Sequence, residues 1–367
     1  MPRSSGGGGA GGGIHFPAGP RPRSSPSPAP APPPAGPAGG GRFAGGRSGR
    51  RAAAPASAPT GDGFEEEPAP EPWEPADLVA VRCLLPERVP TVPLDDVLAQ
   101  LDAAGEPAAF ELAGTPDGAV LQWVVSPSVA PRLRRQLLAQ LPEASVTLAD
   151  ATLAGFGVEA DGEHAVVEFG LAREWVLPLA LPRHDPLVPP VAALGALGPD
   201  EAAVFQVLFQ RCGAPWADSL ERAALTPDGR VRFTNQPEWA GPLARKLARP
   251  LYGVVLRLAA RAAEFDRAWE LVRELAAPLR AFGDRQGNEL IPLRNDAYPH
   301  EEHVADVAGR RSRRPGMLLN LDELLGFVRL PSAAVRGGPL LRPGTGTRPA
   351  PAALTRGDGV LLGRNQH

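Results

Sequence analysis

Hydrophobic and polar positions between residues 78 and 148 form two kinds of segment. Helical spacing appears between the apolar runs, first around Leu94, Val97, Leu98 and Leu101 and then over 128–141. Short continuous apolar runs, typical of buried strands, lie at 78–85, 109–113, 120–125 and 144–148. The predicted order is strand, helix, strand, strand, helix, strand. This is the split βαβ arrangement of a ferredoxin-like module.

The two middle strands of this module are separated by a Pro-Asp-Gly turn at Pro116–Gly118. Proline fixes its own φ angle near the value that the first turn position needs, and glycine tolerates a positive φ. A turn of this composition between two apolar runs predicts a β-hairpin.

Residues 164–293 repeat the pattern more loosely. A buried stripe through Phe265, Trp269 and Val272 marks the longest helix, and Pro278 is expected to loosen its last turn. A second Pro-Asp-Gly turn lies at Pro227–Gly229. The predicted strands are 164–169, 203–209, 251–258 and 288–293, and the predicted helices are 189–197, 243–248 and 265–282. We interpret this half as a second ferredoxin-like module.

Composition sets the outer boundaries. Residues 1–72 are dominated by Gly, Pro, Ala, Ser and Arg, so they bury too little apolar surface to offset chain entropy. The predicted fold class is therefore α+β, with a disordered arm at 1–72, two ferredoxin-like modules at 73–155 and 160–300, and a loop, helix and linker at 301–367. The arm has no acidic residue before Asp62 and could contact nucleic acid or an anionic membrane surface. A solvated arm is the favoured interpretation.

Other features narrow the class of protein. Cys83 and Cys212 are far apart and fit neither a disulfide framework nor a metal-binding spacing, which favours a reducing cytoplasm. No run of 18 apolar residues is present, and no apolar core follows the basic start as it would in a signal peptide. The expected location is the cytoplasm, with any attachment to the inner face of a membrane made through partners.

Two segments imitate catalytic motifs. Gly344–Pro349 has the glycines of a phosphate-binding loop but no lysine, and Pro349 removes a backbone donor, so a flexible loop is favoured. His300 and His303 are three residues apart, whereas a helical zinc site places its histidines four apart. We interpret this stretch as a solvated loop rather than as the zinc site of a hydrolase. No catalytic residue, metal or cofactor is predicted for the chain.

The strongest basic cluster is a candidate contact surface for phosphate or a partner, formed by Arg310, Arg311, Arg313 and Arg314. A solvated loop is the alternative, and it is the commoner outcome for a charge run. Trp216 and Trp239 could stack on bases but more often such residues pack on a sheet.

The C-terminal stretch is the most distinctive. Asn320-Leu321-Asp322-Glu323-Leu324, followed by Leu330-Pro331, predicts a helix within Leu318–Pro331 that matches an N-x-[DE]-E-L…L-P pattern. Gly359–Asn365 then reads G-h-h-L-G-x-N as a strand, where h is apolar. Upstream, Leu197–Leu208 matches L-x-x-x-E-x-x-x-x-Q-h-h, and Pro215-Trp216, Leu256–Leu258 and Gly287–Leu290 follow in order. Together these segments resemble the region before the motor domain of HerA/FtsK-like ATPases of bacterial conjugative transfer, the coupling ATPases of type IV secretion.

The resemblance covers roughly residues 75–367 and implies a non-catalytic module that assembles or positions a DNA-translocating ATPase. In that family a P-loop follows soon after the last strand, and the sequence reaches His367 before one appears. ATP and magnesium are therefore expected only for the motor domain. The implied partners are other copies or secretion-apparatus proteins, with weak contact to nucleic acid. The alternative is a stand-alone scaffold or adaptor without a motor.

Overall fold

The computed structural model describes residues 78–331, apart from positions 87–88, 90–91, 93, 103–104, 158–159, 214–217, 220, 223, 227, 229, 231 and 233–236. The predicted arm at 1–72, Gly344–Pro349 and the predicted strand at Gly359–Asn365 lie outside these residues. Trp216 and two of the three residues of the second Pro-Asp-Gly turn lie outside them as well.

Within the described ranges the fold is α+β. Its strands are β1 Val79–Leu84, β2 Ala108–Thr115, β3 Gly118–Val125, β4 Ser145–Asp150, β5 Glu163–Leu171, β6 Ala202–Arg211, β7 Leu251–Ala262, β8 Leu290–Pro292 and β9 Met317–Asn320. Its α-helices are α1 Leu94–Asp102, α2 Ala130–Gln140, α3 Val188–Leu194, α4 Ala240–Leu247, α5 Phe265–Ala276, α6 His300–Gly309 and α7 Leu321–Phe327. Short 3-10 helices span Pro237–Trp239 and Ala277–Phe282.

All described strands belong to one antiparallel sheet in the order β4-β1-β3-β2-β6-β7-β5-β8. The strands of the first half, β1 to β4, and those of the second half meet where β2 pairs with β6. The long strand β7 pairs with β6 along one edge. Along its other edge it pairs with β9 over residues 251–254 and with β5 over residues 256–262.

Two local expectations are confirmed. The first Pro-Asp-Gly turn makes a tight hairpin in which Thr115 is opposite Gly118, and Gly118 has a φ of 132°. The long helix predicted over 265–282 changes character at Pro278. The α-helical part, α5, ends at Ala276, and a 3-10 helix that carries Pro278 in its first turn continues to Phe282.

One face of the sheet, which we call the apolar face, carries the main core. Helices α1, α2, α3, α5 and α7 pack on it, and their leucines and valines meet large strand side chains. Trp123 is fully buried there, with its ring 5.2 Å from Phe110 and 6.3 Å from Phe209, both edge to face. Trp269 of α5 lies in the same core, beside Phe265. The apolar face therefore has the composition that the sequence pattern predicts.

The opposite face, which we call the polar face, has a different covering. The link between β4 and β5 supplies Leu153 and Phe156, and α6 supplies Val307, which pack on Val166 and other small strand residues. The solvated loop predicted at 300–303 is therefore wrong, because these residues form the first turn of α6. None of the described helices combines the length and apolar character needed to cross a bilayer.

Candidate functional site

Six neighbouring strands each place one polar side chain at the same level of the polar face. These residues, which we call the polar row, are directly opposite one another in the register of the sheet. In order across the sheet they are Arg82 of β1, Gln122 of β3, Glu111 of β2, Gln206 of β6, Arg257 of β7 and Glu168 of β5. The row therefore runs through both halves of the sheet without a break at the β2–β6 junction.

The alternation of side chains along a strand explains why mostly apolar strands form a row of polar residues on one face of the sheet. Successive side chains of a strand point to opposite faces. Phe110 and Leu112 belong to the core of the apolar face, so Glu111 between them points to the other side. In the same way Arg257 lies between two core leucines, Leu256 and Leu258.

The row is hydrogen-bonded from end to end. Gln122 and Gln206 each donate from Nε2 to Glu111, at 2.7 Å and 2.8 Å. Arg257 donates from Nη1 to Gln206 Oε1 at 3.2 Å and from Nε to Glu168 Oε1 at 3.0 Å. At the far end Arg82 donates to Gln122 Oε1 at 3.3 Å. Burying a polar group costs free energy unless it is hydrogen-bonded, and these lateral bonds meet that requirement within the sheet itself.

One segment covers the part of the row from Glu111 to Glu168. This segment, residues 298–315, runs from Tyr298 through α6 and Arg310 to Pro315, and we call it the cover. Arg310 holds both oxygens of Glu111, with Nε–Oε1 and Nη2–Oε2 distances of 3.0 Å and 3.1 Å. Arg314 reaches Glu168 Oε2 from Nη1 at 3.0 Å. Both carboxylates of the row thus receive an arginine from the cover.

Backbone carbonyls of the cover complete the contact. The Val307 carbonyl accepts from Gln206 at 3.0 Å, and the Asp306 carbonyl accepts from Arg257 at 2.8 Å. Arg310 also ends α6 in the left-handed conformation, with a φ of 53°. Glycine is the usual residue at such a helix end. The ion pair with Glu111 gives a physical reason for arginine to stand there instead.

The charges around the row favour ionised carboxylates. Burial alone would raise the pKa of Glu111, but Arg310 and the two glutamine amides hold it below its ordinary value. Burial likewise opposes the ionisation of Glu168, yet the facing His303 and Arg257 lower the pKa of its carboxyl to about 2. Burial lowers the pKa of His303 despite its proximity to Glu168. The His303 Nε2–Glu168 Oε1 distance is 3.6 Å, which is longer than a hydrogen bond.

Tyr298 organises the outer side of the cover. Its ring stacks on that of His303 with centroids 4.0 Å apart, and its hydroxyl donates to Asp306 Oδ2 at 2.7 Å. Burial and the bond to Asp306 raise the pKa of Tyr298 to about 12. The guanidinium of Arg314 lies 5.1 Å from the ring centroid, within cation–π range.

The four arginines of the predicted contact surface therefore do different things. The side chains of Arg310 and Arg314 are 2% and 19% exposed and point into the polar row. Those of Arg311 and Arg313 are 37% and 55% exposed, and both face Asp306. Arg313 also pairs with Glu302. A partner at the protein surface could reach Arg311 and Arg313, while the solvated-loop alternative is wrong for Arg310.

Another buried ion pair, outside the polar row, joins α4 to the start of α7. Lys246, the single lysine of the chain, donates from Nζ to both oxygens of Glu323, at 3.0 Å and 2.7 Å. Glu323 also accepts from the backbone N–H groups of Leu179 and Asn320, and Asn320 accepts in turn from the Glu323 N–H. The last two bonds form a capping box at the start of α7. Burial lowers the pKa of Lys246 although Glu323 opposes the shift.

An open depression of about 660 Å³ lies where β4 forms the sheet edge beside β1. Its polar lining includes Arg82 and Asp150, and Leu148 beside them is 45% exposed. Such a shallow and mostly neutral surface lacks the convergent polar groups of a small-molecule site.

The sequence contained a signal for the polar row that the motif search did not use. Each row residue is a polar side chain with apolar residues on both sides, as in Ala-Phe-Glu-Leu-Ala around Glu111 and Val-Phe-Gln-Val-Leu around Gln206. An isolated polar residue in a buried strand needs a partner. The missing information was which strands are neighbours, since Glu111 and Arg310 are 199 positions apart.

The chemistry of this arrangement is charge neutralisation inside the fold. Each row carboxylate faces a guanidinium, and the cover excludes solvent from Glu111, Gln206, Arg257 and Glu168. In the part of the chain that the structure describes, no group of three or more histidine, cysteine or acidic side chains is placed to hold a metal ion. No protein-family model matches the chain, and no curated protein matches it at a significant level.

Proposed function

We propose that this chain is the non-catalytic module that assembles or positions a DNA-translocating ATPase of the conjugative type. The observation that carries the proposal concerns the polar residues of the matching segments. Gln206, Arg257, Asn288, Asn320 and Glu323 all come from those segments, and all are buried and hydrogen-bonded inside the protein.

The roles of the remaining motif residues support the same view. Asn288 donates to the carbonyls of Glu174 and Leu177 and accepts from the Arg173 N–H, which fixes the chain between β5 and α3. Arg267 of α5 donates from Nε to Glu201 Oε1 at 2.7 Å. The polar residues of these segments hold strands and helices together. We expect such a structural role in a module that positions a motor domain, whereas the polar residues of a nucleotide site would face the nucleotide.

The strand order supports two ferredoxin-like modules as the architecture of this scaffold. The first half of the sheet has the order β4-β1-β3-β2, and the second half, read from its outer edge, has β8-β5-β7-β6. In each half the two strands that flank the first helix are separated by a third strand, as in a split βαβ unit. In this proposal the modules join through their β2 and β6 edges and act as one rigid platform.

The test is genetic and uses a host that carries the gene. Deleting the codons for residues 78–331 in frame is expected to abolish conjugative DNA transfer without affecting growth. Supplying the intact protein should restore transfer, and a variant with the exposed Leu148→Ala substitution should restore it equally. Transfer at the undeleted frequency in the deletion strain would overturn the proposal.

Two further measurements separate the module from a nucleotide-binding protein and from an adaptor. The sequence has no G-x-x-x-x-G-K-[ST] motif, so the purified chain should show no saturable binding of Mg-ATP by calorimetry. Reading the coding DNA beyond the codon for His367 is expected to reveal that motif in frame. A stop codon with no motor gene nearby would favour the stand-alone adaptor instead.

A further inference from the structure

The cover is attached to the sheet chiefly through charges and carbonyl groups. Arg310 and Arg314 bind Glu111 and Glu168, and the carbonyls of the cover accept from Gln206 and Arg257. Its apolar contact is small and comes from Val304, Val307 and Ala308. This differs from every helix on the apolar face, where leucines, valines and aromatic rings make the contact.

The polar row does not need the cover for its hydrogen bonds. Glu111 keeps two amide donors from Gln122 and Gln206, and Glu168 keeps two donors from Arg257, all within the sheet. If the cover moved away, these groups would gain water and lose no lateral partner. Exposing a wholly apolar face in the same way would cost free energy.

The two ends of the cover are held independently of it. Strand β8 pairs with β5 before the cover begins, and β9 pairs with β7 directly after it ends. Asn295 also donates to the Val166 carbonyl just before Tyr298. The cover can therefore leave the sheet without removing any strand from it.

From these contacts we infer that residues 298–315 open as a unit from a sheet that stays folded, with Arg310 and Arg314 as the two latches. In the open state Glu111 and Glu168 face solvent and form a pair of arginine-accepting positions. The closed state occupies these positions with the chain's own arginines. The cover thus acts as an internal competitor for an arginine-bearing segment of a partner.

Hydrogen exchange of the full chain tests the opening. Arg310→Met with Arg314→Met removes both latches and leaves the row bonded within the sheet. Exchange at the amides of 300–311 should accelerate at least tenfold in this variant, while the central amides of β6 and β7 keep their protection. Arg267→Met is the matched control, because it removes an arginine that pairs with Glu201 at the outer side of α5. It should leave exchange in the cover unchanged.

Two outcomes would overturn the opening. In the first, the cover and the strands exchange at the same rate in the wild type and in the double variant, so that only global unfolding exposes the cover. In the second, Arg267→Met accelerates the cover as much as the loss of both latches does, so that the effect is general destabilisation.

A peptide in trans tests the arginine-accepting positions. A fluorescently labelled peptide with the sequence of Asp306–Pro315 should bind the double variant in an anisotropy titration and should not bind the wild type, whose positions are filled. The same peptide with methionine in place of the Arg310 and Arg314 residues should bind neither protein. Equal binding of the arginine peptide to both proteins, or binding to neither, would show that the row does not accept arginine in trans.

Discussion

The two faces of one sheet show how the same strands can do opposite things. On the apolar face Phe110 and Trp123 are fully buried among helices, and the contacts are rings and aliphatic chains. On the polar face the neighbouring residues Glu111 and Gln122 are as deeply buried, yet hydrogen bonds and the ion pair with Arg310 hold their side chains. Burial by itself therefore does not tell the faces apart.

The two faces contribute differently to the fold: the apolar face contributes stability, and the polar row contributes the register of the strands. Area removed from water stabilises the fold, at about 25 cal/mol per Å², and the apolar face supplies most of it. Buried ion pairs stabilise little, because their desolvation offsets their attraction. What the polar row adds is register, since a shift of one residue would turn a charged side chain into the apolar core. This matters most at the β2–β6 junction, where Glu111 must stand opposite Gln206.

The largest expected effect is on the apolar face. Trp123→Ala should lower the free energy of unfolding by about 3–5 kcal/mol, because it leaves a cavity between Phe110 and Phe209. Urea denaturation followed by circular dichroism measures it. Leu148→Ala at the exposed sheet edge is the control and should change stability by less than about 0.5 kcal/mol. A small effect of Trp123→Ala would mean that the apolar face is not the main source of stability.

The second prediction sharpens the contrast with a double substitution on the polar face. Glu111→Met should cost about 3 kcal/mol, because it leaves Arg310 buried without its carboxylate. Adding Arg310→Met removes that uncompensated charge and should recover at least about 1 kcal/mol. No second substitution should rescue Trp123→Ala in this way. Additive losses for Glu111→Met and Arg310→Met in the same denaturation series would contradict the pairing.

Much of the fold follows from local patterns. The apolar runs placed strands β1 to β8, the Pro116–Gly118 turn placed the first hairpin, and Pro278 marked the end of the α-helical part of α5. These features depend on residues near one another in sequence. Helix α6 was missed because His300–Gly309 has few apolar residues, and its helical form depends on what lies beneath it.

The site could not be derived in the same way. The partners of Arg310 and Arg314 are 199 and 146 positions away, so their charge run resembled a solvated loop. Strand β9 was not predicted either, because Met317–Asn320 is short and gains its stability from the edge of β7. In both cases the deciding information is which strands are neighbours, and no local pattern contains it.

The third prediction is a pH dependence that belongs to the polar face. The pKa of Glu168 falls from 4.5 in a free chain to about 2 in the fold. A depressed carboxyl pKa adds stability that is fully present above 4.5 and is lost as the pH falls towards 2. Glu168 alone should account for a loss of about 2 kcal/mol between pH 7 and pH 3. Urea denaturation at a series of pH values should show this decrease in the free energy of unfolding.

The other lowered groups of the polar face act with the same sign. Protonation of unfolded His303, whose pKa is lowered in the fold from 6.5, begins to favour unfolding below that value. The pKa of Glu111 is also lowered, so its stabilisation is likewise lost in acid. Glu168→Gln is the control. In this variant the free energy of unfolding should fall less steeply between pH 7 and pH 3. An equally steep fall would show that other groups cause the loss of stability in acid.

The smallest predicted effect concerns the ion pair that lies outside the polar face. Asn320→Ala should cost about 1 kcal/mol, because the capping bond to the Glu323 N–H is lost while Lys246 keeps its carboxylate. Asp322→Ala, two positions along, is the matched control and should cost less, because Asp322 is partly exposed and loses only its ion pair with Arg249. If Asn320→Ala cost as much as Glu111→Met, about 3 kcal/mol, loss of the cap would also have broken the ion pair between Lys246 and Glu323. An effect near 1 kcal/mol would instead mean that the cap contributes only its own hydrogen bond, and that Lys246 and the Leu179 N–H hold Glu323 in place without it.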